Sequence, residues 1–280
     1  MTSTRPATWE DLQAEAAERL GNRREARWMV EEASGCEPGP APAKAARHLE
    51  AMVQRRLAGE PLQYVLGSWA FRHLELMVDR RVLIPRPETE RVVDYALAEL
   101  DRVSGGQRTT VVDLGTGSGA IALALAQERA FVDVWATDVS SDALAVARAN
   151  LAGLAGFAAT RVRMVEGSWF DALPAELRGR VDLVVSNPPY ISTVEMAGLD
   201  AEVRDWEPVG ALAAGPLGTE AVDAILSAAA EWLTGRGAVV IEVAPHQADR
   251  VIGLAHGYGF SDAEVKPDLT GRGRALVARR

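Results

Sequence analysis

Cysteine occurs once in the 280 residues, at Cys36. A lone thiol closes no disulfide within the chain, and no second Cys or His stands near it at metal-ligand spacing, so a disulfide scaffold and a structural metal site are both excluded. Lysine is confined to Lys44 and Lys266, and the 30 basic residues are outnumbered by 39 acidic ones, giving a formal net charge of -9 and a pI near 5.1. Phosphate backbones are gripped mainly by clustered cations, so this balance argues against a general polyanion binder and against direct nucleic-acid binding. No apolar run approaches the roughly 18 residues of a membrane span. Glu10, Asp11, Glu15 and Glu18 deny the first 20 residues both an apolar signal core and the acid-poor character of a transit peptide. A soluble, cytoplasmic protein without a membrane partner is expected. The four histidines, His48, His73, His246 and His256, share no motif.

With 48% hydrophobic and 25% charged residues, the composition is globular, and the length suits one large domain and a small one. Residues 8–34 and 41–58 have helical spacing and are separated by the breaker run Pro38, Gly39, Pro40 and Pro42, which predicts a small helical domain over 1–62. From Tyr64 to Val82 apolar residues roughly alternate (Trp69, Phe71, Leu74, Leu76, Val78) with a break at Arg72 and His73. That pattern predicts a β-hairpin, serving as a linker within 63–86. The segment "LIPRPETE", Leu83–Glu90, sets Pro87 and two acids ahead of Val92, Val93 and Ala96 and predicts a helix over 88–100, with Arg86, Glu88 and Glu90 as capping and dipole-compensating residues. From 106 onward short apolar runs alternate with helical stretches. Strands are predicted at 109–114, 132–137, 161–165, 181–186, 237–243 and 274–278, and helices at 118–129, 141–152, 219–233 and 246–257. The class is α/β, a mostly parallel, Rossmann-like sheet over 87–280 whose ligands bind at the carboxyl ends of the strands.

Two motifs fall at such ends. Asp113-Leu114-Gly115-Thr116-Gly117-Ser118-Gly119 follows one strand and opens the next helix. Its glycines let backbone approach a ligand closely, and free N–H groups at the helix start favour an anionic group. Asp138 ends the next strand, 19 residues after Gly119, where a carboxylate can accept both hydroxyl hydrogens of a ribose. A nucleoside-like cofactor is implied. Gly115, Gly117 and Ala120 also satisfy the dinucleotide pattern G-x-G-x-x-A, so a nicotinamide enzyme stays open on this loop alone.

The second motif is Asn187-Pro188-Pro189-Tyr190, directly after the strand 181–186. Consecutive prolines fix φ and remove competing N–H donors, leaving a stiff turn rich in acceptors. The resemblance of this tetrapeptide to a methyltransferase signature implies a substrate amino group whose lone pair is delocalised into a π-system. The Asn187 side-chain oxygen and the Pro188 carbonyl can take its two hydrogens, while the Tyr190 ring offers a flat stacking face. The motif resembles the [ND]PP[YFW] signature of class I methyltransferases acting on exocyclic adenine amines or glutamine amides, and "DLGTGSG" resembles the first motif of the same class.

Four stretches resemble the release factor glutamine methyltransferases (the PrmC/HemK family): "GEPLQYVLGSWAF" at 59–71, "LIPRPETE" at 83–90, "DLGTGSGAIALALA" at 113–126 and "VSNPPYI" at 185–191. A weaker fifth, "EVRDWEPVGAL" at 202–212, has Trp206 where that family more often has Phe or Tyr. The resemblance implies S-adenosylmethionine as cofactor, contacted by Gly115, Thr116, Gly117, Ser118, Gly119, Asp138, Trp169 and Asn187. It implies a glutamine held by Asn187, Pro188, Pro189 and Tyr190, with Asn187, Pro188 and Tyr190 catalytic, in the Gly-Gly-Gln motif of peptide chain release factors. The rival reading is an adenine-N6 methyltransferase on DNA or RNA. Glu207 and Pro208 fall in a stretch, 191–217, expected to be irregular and lid-like.

Overall fold

The computed structural model describes residues 7–36, 39–154 and 156–280; Pro38 of the breaker run and the first six residues lie outside them. The chain forms two compact units. One runs to Ser68 and takes in the distant segment Asp200–Trp206, and the other comprises Trp69–Leu199 and Glu207–Arg280.

The first unit is helical, with α1 (Trp9–Leu20), α2 (Arg23–Ser34), α3 (Ala43–Leu57) and α4 (Leu62–Leu66). The single helical stretch expected over 8–34 is two helices. Gly21 turns left-handed at φ 63°, and the Asn22 side chain then accepts from the N–H groups of Arg24 and Glu25, ending one helix and starting the next. Met29, Leu49, Met52 and Val53 fill the core between them. The Arg56 guanidinium donates to Glu25 at 2.7 Å and to Glu202 at 2.6 Å, which fastens the single helical turn Ala201–Arg204 to this unit.

The hairpin expected from Tyr64 begins later, because Pro61 and the left-handed Gly67 bound a helical turn, α4. Its strands are β1 (Ser68–Phe71) and β2 (Leu74–Met77), joined at Arg72 and His73. Arg72 is left-handed, φ 52°, and its guanidinium pairs with Glu128 and Asp94, both at 2.7 Å.

The second unit holds α5 (Pro87–Ser104), β3 (Thr109–Leu114), α6 (Ala120–Glu128), β4 (Val132–Asp138), α7 (Ser141–Gly153), β5 (Val162–Glu166) and β6 (Val181–Ser186). Then come β7 (Ile191–Ser192), β8 (Ala213–Gly215), α8 (Glu220–Trp232), β9 (Leu233–Glu242), α9 (Ala248–Gly257), β10 (Asp262–Pro267) and β11 (Gly273–Arg279). Seven strands form one sheet in the order β10-β11-β9-β6-β3-β4-β5, parallel from β9 to β5, with β10 and β11 antiparallel at one edge. Its central strands β3, β6 and β9 are apolar on both faces, as a doubly covered parallel sheet requires. Val111, Leu183, Val185 and Val240 pack into one cluster with α5 and α6, while Val112, Val184, Val239 and Ile241 pack into another with α8 and α9.

Chain order reverses between β3 and β6, the switch point at which open α/β sheets hold ligands. β10 was not anticipated, since "DAEVKP" carries three charges and only half-buries its residues at the sheet edge. The stretch 191–217 is not irregular. β7 and β8 pair within it, and the turns Ala201–Arg204 and Val209–Leu212 are helical.

Candidate active site

The register of the sheet places the two motifs side by side. Thr137, Leu114, Ser186 and Ile241 form one cross-strand row, from β4 through β3 and β6 to β9. One residue beyond that row stand Asp138, Gly115, Asn187 and Glu242. The glycine loop and the Asn-Pro-Pro-Tyr turn therefore leave adjacent strands at the same height, about 4.8 Å apart. The Ser186 hydroxyl, which donates to the Leu114 carbonyl at 2.6 Å, pins the two exits together.

A cavity of about 440 Å³ opens over these ends, lined among others by Gly115, Thr116, Gly117, Ser118, Asp138, Trp169, Asn187 and Pro189. Gly119 is absent from the lining. It caps α6 at φ 87°, and a Cβ there would come within 3.2 Å of Leu123 and 3.5 Å of Ala147, so its bareness serves helix packing instead. Pro188 is buried in the turn, and neither it nor Tyr190 lines the cavity.

The glycine loop is shaped for backbone approach. Gly115 and Gly117 are left-handed at φ 70° and 55°, and a Cβ on Gly117 would meet no protein atom within 4 Å. Buried Asp113 holds the loop from beneath, accepting the Thr116 hydroxyl at 2.6 Å and the Ala122 N–H at 3.2 Å. Burial pushes its carboxyl up to about 7, and its other oxygen has no partner among the described residues. Asp138 accepts backbone N–H groups on both oxygens, from Gly117 and Ser140 at 2.9 Å, with the Val139 N–H directed at it as well. A carboxylate has about four lone-pair sites, so acceptor capacity remains for a ribose hydroxyl. Burial raises the Asp138 carboxyl above its ordinary value. Trp169 is left-handed at φ 44°, and its ring edge would lie 3.6 Å from a Cβ on Gly115. Its indole thus lines the cavity and also packs on the cluster beneath. Cavity volume, bare glycine backbone, the Asp138 carboxylate and the Trp169 indole on the lining fit an adenosyl amino acid, with its ribose hydroxyls and flat base.

Two side chains complete the site that motif reading did not single out. The Asn187 carboxamide donates from Nδ2 to the Thr89 hydroxyl at 3.1 Å, and that hydroxyl donates to Glu242 at 2.6 Å. The Tyr190 hydroxyl donates to the other Glu242 oxygen at 3.3 Å. Burial, followed by the Glu242 charge, raises the Tyr190 phenol above its ordinary range, and burial raises the Glu242 carboxyl. A carboxylate inside the apolar run "AVVIEV" was the available sequence signal for Glu242. Thr89 lay hidden inside "PETE", where its neighbours read as helix-start acids.

Of those neighbours, Arg86 is the N-cap residue of α5 without a side-chain cap, and its guanidinium pairs with buried Glu207 at 2.6 Å. Glu90 accepts the Arg72 N–H at 3.1 Å. Gln247 is a third unforeseen residue. Its Nε2 donates to the carbonyls of Tyr190 and Gly218 at 2.9 and 3.0 Å, and its Oε1 accepts the Ala244 N–H at 3.0 Å.

Residues 94–200 match the model of the methyltransferase small domain, and residues 11–67 match that of the PrmC N-terminal domain. A release factor glutamine methyltransferase from Cereibacter sphaeroides is 41% identical over 86% of this chain and 82% of its own. One from Moorella thermoacetica is 43% identical over the same shares. Among solved structures, the hMettl16 catalytic domain in complex with the MAT2A 3'UTR hairpin 6 superposes with a TM-score of 0.57 at 15% identity, covering 85% of this chain and 81% of that one. A methyltransferase from Pyrococcus furiosus gives 0.51 at 18% identity, covering 82% and 96%. At such identities these two speak for the fold, a class I methyltransferase fold, and for nothing further. Identity of about 40% across most of both chains decides more: this chain belongs to the release factor glutamine methyltransferase family.

Proposed function

We propose that this enzyme transfers the methyl group of S-adenosylmethionine to the side-chain amide nitrogen, N5, of the glutamine in the Gly-Gly-Gln motif of peptide chain release factors, in the cytoplasm and without binding nucleic acid directly. Within this reading residues 1–62 recognise the body of the release factor, 63–86 link, and 87–280 carry the chemistry. The observation that carries it is the shared height of the glycine loop and the Asn187 turn on adjacent strands.

S-adenosylmethionine, when bound, supplies a methyl group made electrophilic by its sulfonium. Gly115, Thr116, Gly117 and Ser118 would hold it by backbone, Asp138 through its ribose and Trp169 at its base. The residues of the turn act on the amide. Its nitrogen lone pair is delocalised into the carbonyl, so the nitrogen attacks only when that overlap is reduced. The Asn187 side-chain oxygen and the Pro188 carbonyl each accept one N–H, drawing the hydrogens out of plane and turning the lone pair toward the donor. The Tyr190 ring, which like Pro188 lies beside the cofactor cavity and not on its lining, would fix the plane of the amide. Orientation by fixed acceptors supplies most of the acceleration. No strong base is needed, because a protonated N-methyl amide is a strong acid and loses its proton to water.

The test is incubation with methyl-labelled S-adenosylmethionine and either a release factor or adenine-containing DNA and RNA. Label on the release factor glutamine supports the reading, and label on adenine alone overturns it. Asn187→Ala lowers turnover at least about 100-fold, the scale of one lost positioned group, while cofactor affinity measured calorimetrically stays within a few-fold. Near-normal turnover in that variant removes Asn187 from the mechanism.

A further inference from the structure

We infer that Thr89 and Glu242 form a polarity relay that fixes which end of the Asn187 carboxamide faces the cavity; the inference rests on the methyl-transfer reading above. The two branches of a carboxamide have nearly the same shape, so packing alone does not decide between them, and hydrogen bonding does. Here the deciding group is the last residue of β9. Glu242 is 1% exposed, and as a carboxylate it only accepts. The Thr89 hydroxyl lies 2.6 Å from it, in the short range of a charge-assisted bond, so the one hydroxyl hydrogen of Thr89 is committed to Glu242.

What remains on Thr89 toward Asn187 is a lone pair. It takes the NH2 branch, at 3.1 Å, and the carboxamide branch left for the cavity is the oxygen. Reversal would set an NH2 group against the amino group of the substrate, donor against donor, and would leave the lone pairs of Thr89 and Asn187 facing each other. The same carboxylate holds the Tyr190 hydroxyl at 3.3 Å. One buried charge thereby orients both the acceptor and the stacking ring, and the register supplies it, since Glu242 stands beside Asn187 on the neighbouring strand. Burial and the Glu88 charge favour the neutral form of Glu242, while the bond from Thr89, the Arg274 charge and the bond from Tyr190 favour the carboxylate, the form in which the relay operates. Thr89 stands on the cavity wall, 3% exposed, and Glu242 is off the lining; the relay requires neither to touch the substrate. Both are positioning residues.

The experiment compares wild type, Thr89→Ser, Thr89→Val and Glu242→Gln in single-turnover and steady-state methylation of a release factor, with cofactor affinity measured separately by calorimetry. Thr89→Val keeps the shape and removes the relay. Its kcat is expected to fall about 100-fold, the scale of a misplaced reacting group, with the KM for release factor and the Kd for S-adenosylmethionine within about threefold of wild type. Thr89→Ser restores the hydroxyl and brings kcat back to within about fivefold. Glu242→Gln, which no longer forces both hydroxyls to donate, loses kcat in the same pattern. If Thr89→Val retains a third or more of wild-type kcat, or if Thr89→Ser falls as far as Thr89→Val, the relay is refuted. A wild type that fails to methylate glutamine refutes the functional reading itself, a result that no variant can mimic.

Discussion

Gln247 ties the Asn-Pro-Pro-Tyr turn to the segment before α8, and replacing it by leucine isolates that tie. The residue is 3% exposed and makes three hydrogen bonds, accepting from the Ala244 N–H and donating to the carbonyls of Tyr190 and Gly218. Leucine fills nearly the same space, so the change is read as lost polarity with little cavity cost. Three bonds at about 1 kcal/mol net each give about 3 kcal/mol, and backbone groups orphaned in the interior push the loss higher. For the second unit, roughly 200 residues, that is a fall in Tm of about 6–12 °C. Urea unfolding and calorimetry measure it directly, and methylation assays at a temperature where the variant is folded report whether the Tyr190 carbonyl has moved. A loss below about 1 kcal/mol refutes the assignment.

Gln247→Glu refines the same test through pH. One carboxylate oxygen keeps the Ala244 N–H, but the other stands where an NH2 group served two carbonyls, so the folded state favours the protonated form and the folded pKa rises above the ordinary glutamic value. A raised carboxyl contributes its full stability below the unfolded pKa of about 4.3 and loses it as pH climbs through the folded pKa. The deficit relative to wild type is therefore expected to be small near pH 4 and large at pH 8. A deficit independent of pH contradicts the two-carbonyl geometry.

Gly117→Val places a branched side chain in the cavity at a left-handed φ of 55°. It is expected to abolish S-adenosylmethionine binding in calorimetry while costing only about 1–2 kcal/mol of stability from backbone strain, and an unchanged binding isotherm counts against the loop. Asp113, pushed up to about 7 by burial, binds a proton on folding between the unfolded carboxyl range and pH 7, so its contribution to ligand-free stability falls as pH rises through that window. The stability difference between wild type and Asp113→Asn is expected to change by about 1.4 kcal/mol per pH unit between pH 5 and 6, and a flat difference in denaturant titrations removes the shift.

Much of this arrangement was legible in the residue order, and the reasons for the misses are specific. Strand β3 and strand β6 were read to the residue, because parallel strands covered on both faces appear as short unbroken apolar runs such as "VVDL" and "DLVVS". Asp138, Trp169 and Asn187 fell on the cavity because each lies at a strand end or just after it, which the βα alternation locates. Gly119 did not, since a motif pattern treats its glycines alike while the fold uses one of them against Leu123. The Leu62–Leu66 turn passed for part of a strand because Pro61 and Gly67 act through φ, which apolar alternation does not record. Thr89 escaped for a different reason, as did the ion pair of Glu207, itself read only as part of a loop, and Gln247. Their partners, Glu242, Arg86 and Tyr190, are far away in sequence, and no local pattern announces a pairing that the sheet creates.

That distinction bears on what the Asn-Pro-Pro-Tyr turn does by itself. Two prolines make it stiff and strip it of donors, but stiffness leaves the carboxamide of Asn187 free to present either end. The missing piece of information is one hydrogen's direction, and it arrives from β9, whose last residue sits in the same row as Asn187 because Ser186 pairs with Ile241. A shift of β9 by one residue would exchange Glu242 for Ile241 or Val243 beside the turn and send the carboxylate to the other face of the sheet. The turn would keep its sequence and its shape, yet nothing would orient its amide. The register of five apolar strands, held by burial of Val111, Val184, Val240 and their neighbours at about 1.5–3 kcal/mol for each side chain, is thus the physical origin of the acceptor geometry. A core substitution that slipped β9 would silence the enzyme without touching a residue of the motif.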